Sequence, residues 1–325
     1  MLYRTAIMLF AAAACLSCGR RATAKTAAAV PPPAQETAAH TARTVPFPEI
    51  PSYLSDEEAI AEYAAAHYWD GVDFADASWA ESADVLEEGF ARFVAVTSLA
   101  PEASGTEAMR GMMRRLETHA APEVYDMMIA LADKYLYDPN SPLRNETLYI
   151  AVLEAQIADP NLEDIYKIAP RERLRMALKN RPGEPAADFS FTTAEGRHGT
   201  LYGTDAEYVL LFFHNLGCPA CRQIREELIA VTAAEPLAAM LASGKLKIIA
   251  LYPDADLSEW EEHRKDIPAA WINAYDGAQD INEGELYDLR AIPSLYLLDR
   301  NKKVLLKDFT NPSLLAEVLN RPAEE

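Results

Sequence analysis

Two cysteines with two residues between them, Cys218-Pro219-Ala220-Cys221, follow the apolar run Val209-Leu210-Leu211-Phe212-Phe213. A pair at that spacing can cycle between dithiol and disulfide. If a helix opens at the first cysteine, its sulfur lies at the helix N-terminus, where unpaired N–H groups and the helix dipole stabilise a thiolate. The second lies one turn further in, placed to attack a mixed disulfide formed by the first. Cys218 is therefore the expected nucleophile and Cys221 the resolving thiol. Pro219 falls where a missing N–H does little harm to a helix, and Arg222 and Arg225 add positive charge nearby. His214 is read as the end of a strand, the alternative being a residue that modulates the site. A zinc site would need two more ligands, and no second close pair accompanies this one. No metal or other cofactor is expected.

The chain has four cysteines. The remaining two, Cys15 and Cys18, sit at the end of an apolar run from Ala6 to Ala14 preceded by Arg4, the pattern of an export signal and too short for a spanning helix. Ser17-Cys18-Gly19 resembles the lipobox of bacterial lipoproteins, which implies a signal peptide over 1–18 and acylation at Cys18. Cys15 stands where that motif has Leu, a departure from it, and acylation at Cys15 is the alternative. Such a protein would be periplasmic and held to a bacterial membrane by lipid. It would keep only Cys218 and Cys221 as thiols, and so no structural disulfide framework.

The 325 residues carry 30 basic and 50 acidic side chains, a formal charge of -20. That balance disfavours nucleic acid and anionic lipid surfaces as partners. Residues 19–51 are rich in Ala, Thr and Pro and read as a flexible tether. From Ser55-Asp56-Glu57-Glu58, read as a capping box, the period turns helical, with further helices expected near 82–98, 105–120, 122–137, 142–158 and 163–180. Pro122 and Pro142 are placed at helix starts, and Pro139, Pro160 and Pro170 at boundaries. The aromatic residues Tyr63, Tyr68, Trp69, Phe74 and Trp79 read as core, and His67 and His119 as isolated histidines. Residues 52–181 thus form an all-helical domain. At Arg181-Pro182-Gly183-Glu184-Pro185 the pattern changes. Residues 182–325 then read as a hairpin (189–201), strands at 208–213, 246–252, 271–275, 294–298 and 304–309, and helices from Cys218, at 258–265, at 283–289 and from Pro312. The expected class is α+β with two domains, the second an α/β domain with a mixed sheet covered on both faces.

Val209 to Phe213, the Cys218-Pro219-Ala220-Cys221 motif and Ile292-Pro293 ahead of a strand together resemble the thioredoxin superfamily. Tyr287-Asp288-Leu289-Arg290-Ala291-Ile292-Pro293-Ser294-Leu295-Tyr296-Leu297-Leu298-Asp299 resembles its TlpA- and ResA-like periplasmic members. The likeness spans about residues 185–322, and the preceding helices are similar to a family of bacterial lipoproteins. It implies a thiol-disulfide oxidoreductase in which Pro293 is cis, lies against the cysteine pair and presents a neighbouring backbone edge to the client. The partners it implies are exported proteins bearing thiols or disulfides and a membrane electron donor or acceptor. Where relatives carry an aromatic residue before the first cysteine, this chain has His214-Asn215-Leu216-Gly217. A peroxiredoxin-like peroxidase would resemble a Pro-x-x-x-Thr-x-x-Cys frame, whose positions here hold Leu211 and Asn215. A scaffold lipoprotein with a vestigial cysteine pair is the other rival. The direction of electron flow stays open, because the dipeptide between the cysteines tunes the potential over about 150 mV.

Overall fold

The computed structural model describes residues 43–215 and 217–319. The expected signal segment, Cys15, Cys18 and the first part of the tether lie outside them.

Among the described residues six α-helices come first: α1 (Glu57–His67), α2 (Ala83–Thr97), α3 (Glu102–His119), α4 (Pro122–Ala132), α5 (Glu146–Ala158) and α6 (Ile168–Ala177). Their ends are set by local chemistry. At α1 the cap is Asp56 rather than Ser55, its carboxylate accepting the Ala59 N–H at 3.0 Å. Pro122 opens α4 as expected of a first-turn proline. Pro142 does not open α5. The Asn145 side chain accepts the Leu148 N–H at 3.1 Å and starts the helix at Glu146. Pro170 lies inside the first turn of α6 instead of bounding it, a position where the missing N–H has no helical partner. Tyr68, Trp69, Phe74, Trp79, Phe90 and Phe93 fill one shared core with Met109 and Met113. Residues 43–51, assigned above to the tether, pack as well. Val45 is buried against Gly89 of α2, where a Cβ would meet the Val45 side chain at 2.6 Å, and the Arg43 guanidinium reaches Asp76 at 2.6 Å.

The rest of the chain builds one seven-stranded sheet from β1 (Ser190–Thr193), β2 (His198–Thr200), β3 (Tyr208–Phe213), β4 (Leu246–Tyr252), β5 (Ile272–Tyr275), β6 (Ser294–Asp299) and β7 (Val304–Phe309), in the order β2-β1-β5-β4-β3-β6-β7. β3 pairs in parallel with β4 and antiparallel with β6, so the sheet is mixed. Successive side chains of a strand point to opposite faces, and both faces are apolar here. Leu211, Phe213, Ile249, Leu251 and Tyr296 pack with Phe189 and Tyr287 on one side. On the other, Leu210, Phe212, Ile248, Ala250 and Leu297 meet Ile224 and Leu228 of α7 (Pro219–Thr232), Leu237 of α8 (Leu237–Ala242) and Leu315 of α11 (Leu314–Leu319).

Between β4 and β5 runs α9 (Ser258–His263), and after β5 comes α10 (Asp280–Glu283). The helix expected over 283–289 is displaced to α10. The Asp276 carboxylate accepts the N–H groups of Asp280 and Ile281 and so fixes the earlier start. The turn ends at Gly284, and Glu285 takes a left-handed φ of 47° that a helix cannot continue. Residues 286–291 then run without regular structure, with Tyr287 buried and its hydroxyl donating to the Ala187 carbonyl at 2.7 Å.

The helices meet the sheet domain through polar groups, some on β7 and some on the segments beside it. The Lys307 ammonium, its side chain 5% exposed, pairs with Glu146 at 2.8 Å and donates to the last carbonyls of the helix region, Ala177 at 2.8 Å and Lys179 at 2.7 Å. Asn180, at φ 50°, donates to the Leu286 carbonyl and accepts the Ala187 N–H, each at 2.8 Å. A cation here satisfies a helix C-terminus and a carboxylate at once. Removing one partner of a buried pair leaves the other uncompensated, at a cost of about 3 kcal/mol or more. Lys307→Met is therefore expected to lower the free energy of unfolding by about 3 kcal/mol. A denaturant titration that shows a midpoint equal to that of the parent protein would overturn this role.

Candidate active site

β3 ends at Phe213, and α7 begins six residues later with Pro219 at its first position. Cys218 is the N-cap of α7, with extended backbone, and its sulfur accepts the Cys221 N–H at 3.3 Å. A sulfur thus occupies the place where Ser or Asp oxygens usually cap a helix. Cys218 is partly exposed and Cys221 buried, and both are free thiols. Burial pushes the Cys221 thiol up to about 12, with the neighbouring Cys218 adding to the rise. The structure therefore brings both sequence-predicted cysteines together, one accessible and one behind it.

Pro293 stands directly before β6, and the Ile292–Pro293 peptide bond is cis. Because β6 runs antiparallel to β3 with Ser294 opposite Phe213, the start of β6 lies beside the end of β3 and the loop that leads to Cys218. The Ile292 carbonyl oxygen lies 3.9 Å from the Cys218 sulfur, within reach of a weak S–H donation.

Two residues that sequence reasoning undervalued shape the loop. The Asn215 backbone N–H donates to the Cys221 sulfur at 3.4 Å, while its side-chain amide donates to Asp254 at 2.9 Å and its side-chain oxygen accepts the Gly217 N–H at 2.9 Å. One side chain thus pins the loop to the end of β4 and to the turn before Cys218. At Gly217 a Cβ would stand 3.0 Å from the Glu259 carboxylate of α9, so the absence of a side chain there lets this acid close over the loop. An Asn and a Gly in a loop are ordinary turn residues, which is why neither carries a signal by itself.

His214 does more than end the strand. Its ring is buried, stacks on Phe212 with centroids 4.7 Å apart, and leaves Nε2 without a protein partner. Burial, with the Arg225 charge second, pushes its imidazole down to about 3, so the ring is neutral under physiological conditions. Lone His67 and His119 lie on exposed helix surface far along the chain, and His67 pairs with Asp70 at 2.7 Å.

Residues 205–304 match the family model described as thioredoxin-like, and residues 20–180 match a domain of unknown function, DUF5106. A thioredoxin-like protein from Bacteroides caccae shares 40% identity, with a TM-score of 0.82, and the match covers 87% of this chain and 100% of that one. The C-terminal domain of an uncharacterised Bacteroides fragilis protein is 45% identical over 43% of this chain and 99% of its own, at a TM-score of 0.41. A conserved Bacteroides fragilis protein of unknown function is 34% identical over 42% of this chain and 98% of its own, at 0.40. No curated protein matches the chain.

The unequal burial of the two thiols has a measurable result. At a pH of about 8.5, where an ordinary cysteine is half ionised, iodoacetamide should modify Cys218 and spare Cys221. Labelling of Cys221 should rise only toward pH 12, because its thiol ionises there. Peptide mapping by mass spectrometry that finds both cysteines modified at the lower pH in folded protein would contradict the arrangement.

Proposed function

This chain belongs to the thioredoxin-like family, and we propose that within it the chain is a thiol-disulfide oxidoreductase working through Cys218 and Cys221. The observation that carries this reading is the placing of the accessible Cys218 sulfur at the N-cap of α7, with the Cys221 N–H directed at it and Cys221 buried behind. A sulfur in that position receives donor hydrogen bonding when it turns anionic, as an attacking or leaving thiolate must.

In the reducing direction, the Cys218 thiolate attacks one sulfur of a client disulfide. That S–S bond breaks, a mixed disulfide forms, and the first client sulfur leaves as thiolate. Cys221 then gives up its proton, which the departing client thiolate can take, and attacks the Cys218 sulfur. The second client sulfur is released, two electrons have passed to the client, and the pair is left as a disulfide. An external dithiol must reduce it again. Burial raises the Cys221 thiol, so this thiol stays protonated until the mixed disulfide brings a proton acceptor beside it. The Ile292 carbonyl borders the Cys218 sulfur, and together with cis Pro293 it would form one wall of the client site. The clients are exported proteins with thiols or disulfides, and the partner that resets the pair is a membrane donor or acceptor.

Removing the resolving thiol strands the enzyme on its client, whereas removing the attacking thiol prevents capture. Cys221→Ser should accumulate covalent complexes that a reductant dissolves, and Cys218→Ser should form none. Trapping by Cys218→Ser alone, or no insulin-disulfide reduction by the parent protein, would sink the assignment.

We also propose that the chain is exported and lipid-anchored at Cys18, supported by Ser17-Cys18-Gly19 after the apolar run. Metabolic labelling with a fatty-acid probe should mark the parent and not Cys18→Ala. An equally labelled variant would refute this.

A further inference from the structure

The first half of the chain reaches the cysteine site through a buried carboxylate. Asp308 lies on β7 at φ 46°, a left-handed conformation that non-glycine residues adopt rarely, where the β6–β7 register is irregular. Irregularities of this kind re-aim a side chain away from the regular ladder. One Asp308 oxygen accepts the Ser294 hydroxyl at 2.7 Å, and the other pairs with the Arg144 guanidinium at 2.9 Å. Arg144 also donates to the Asp308 backbone carbonyl, so it grips both the side chain and the main chain of that residue. Both side chains are largely buried, at 22% and 17% exposed. Arg144 comes from the turn just before α5. Ser294 directly follows Pro293.

A second tie runs in parallel. Arg290, two residues ahead of Ile292, pairs with buried Asp288 at 2.9 Å, donates to the Tyr137 carbonyl at 3.0 Å and lies over the Tyr137 ring at 3.9 Å. The segment 290–294 is therefore tied to the helical half at one end directly, through Tyr137, and at the other through Asp308 and Arg144, and its midpoint, the Ile292 carbonyl, borders the Cys218 sulfur.

We infer that Arg144 is a positioning residue for the redox site, acting through Asp308 and Ser294 to hold the Ile292–Pro293 segment over the Cys218 sulfur. This gives the helical half a task in the chemistry: it sets how closely that wall of the site approaches the attacking sulfur. The inference rests on the oxidoreductase reading for its functional meaning, but the contact itself can be read without turnover.

The test uses the full chain and the rate at which iodoacetamide alkylates Cys218, followed by peptide mapping. Loosening the wall uncovers the sulfur, so Arg144→Gln and Ser294→Ala should each raise that rate severalfold while Cys221 stays unmodified. Arg144→Lys should restore much of the parent rate, since it keeps the charge and loses only the second contact. The double variant should react no faster than the faster single one, because both changes cut the same link. Unchanged rates in either single variant, strictly multiplicative rates in the double, or concurrent labelling of Cys221, which would signal general opening, would each overturn the inference. If Arg144→Gln fails to fold, Ser294→Ala, which removes one hydroxyl, decides alone. Loss of insulin reduction in the parent protein with this alkylation pattern intact would instead sink the proposed function and leave the coupling standing.

Discussion

The antiparallel pairing of β3 with β6, with Phe213 opposite Ser294, is the constraint on which the site depends. Neither Cys218 nor Pro293 belongs to a strand, yet each is attached to the end of one. Once those two strands are in register, the segment before β6 can only run beside the turn after β3. A slip of one residue would turn every buried side chain of β3 to the opposite face. Since both faces of β3 are filled by large apolar groups, the cost of such a slip falls on the whole core. The packing of the sheet thus holds the chemistry in place at no separate expense.

Around that constraint the protein arranges polar groups whose partners come from distant stretches of sequence. Asn215 joins the end of β3 to the end of β4, and Asp308 joins β7 to β6 and to the turn before α5. These links differ from the core contacts in kind. Apolar packing sets where strands lie, whereas a hydrogen-bonded carboxylate or amide fixes orientation, because its partners must lie along particular directions. A buried carboxylate left without its partners is costly, and Asp308 shows the same tension, since burial holds its carboxyl above the ordinary aspartate value despite Arg144 beside it.

What was legible in the sequence was whatever has a short period or a short motif. The apolar strands at 208–213 and 246–252, the cysteine pair and the switch from helical to strand patterning all lie within windows of a few residues. The fold class follows from them, and the structure agrees with it. The misplaced elements failed for a different reason. The start of α5 is decided by Asn145 rather than the proline three residues earlier, and α10 by Asp276, which reaches forward to two N–H groups. In each case a capping side chain overrides what the residue types alone favour. The supports of the site were not legible at all, because Arg144 and Asp308 are 164 positions apart and no local pattern announces their meeting.

Lys307 carries a further consequence. Its ammonium closes the carbonyl end of α6, neutralises the first residue of α5 and belongs to a strand of the sheet. For α6 to open locally, its last carbonyls must be stripped from a group that the sheet holds fixed, so the helix borrows its resistance to opening from β7. Two halves with separate apolar cores would, if joined by a loose connection, melt independently. Three bonds to one buried cation tie their fluctuations together, and the described chain is expected to behave as one cooperative body in which slow amide exchange in α6 follows that of the strand it leans on.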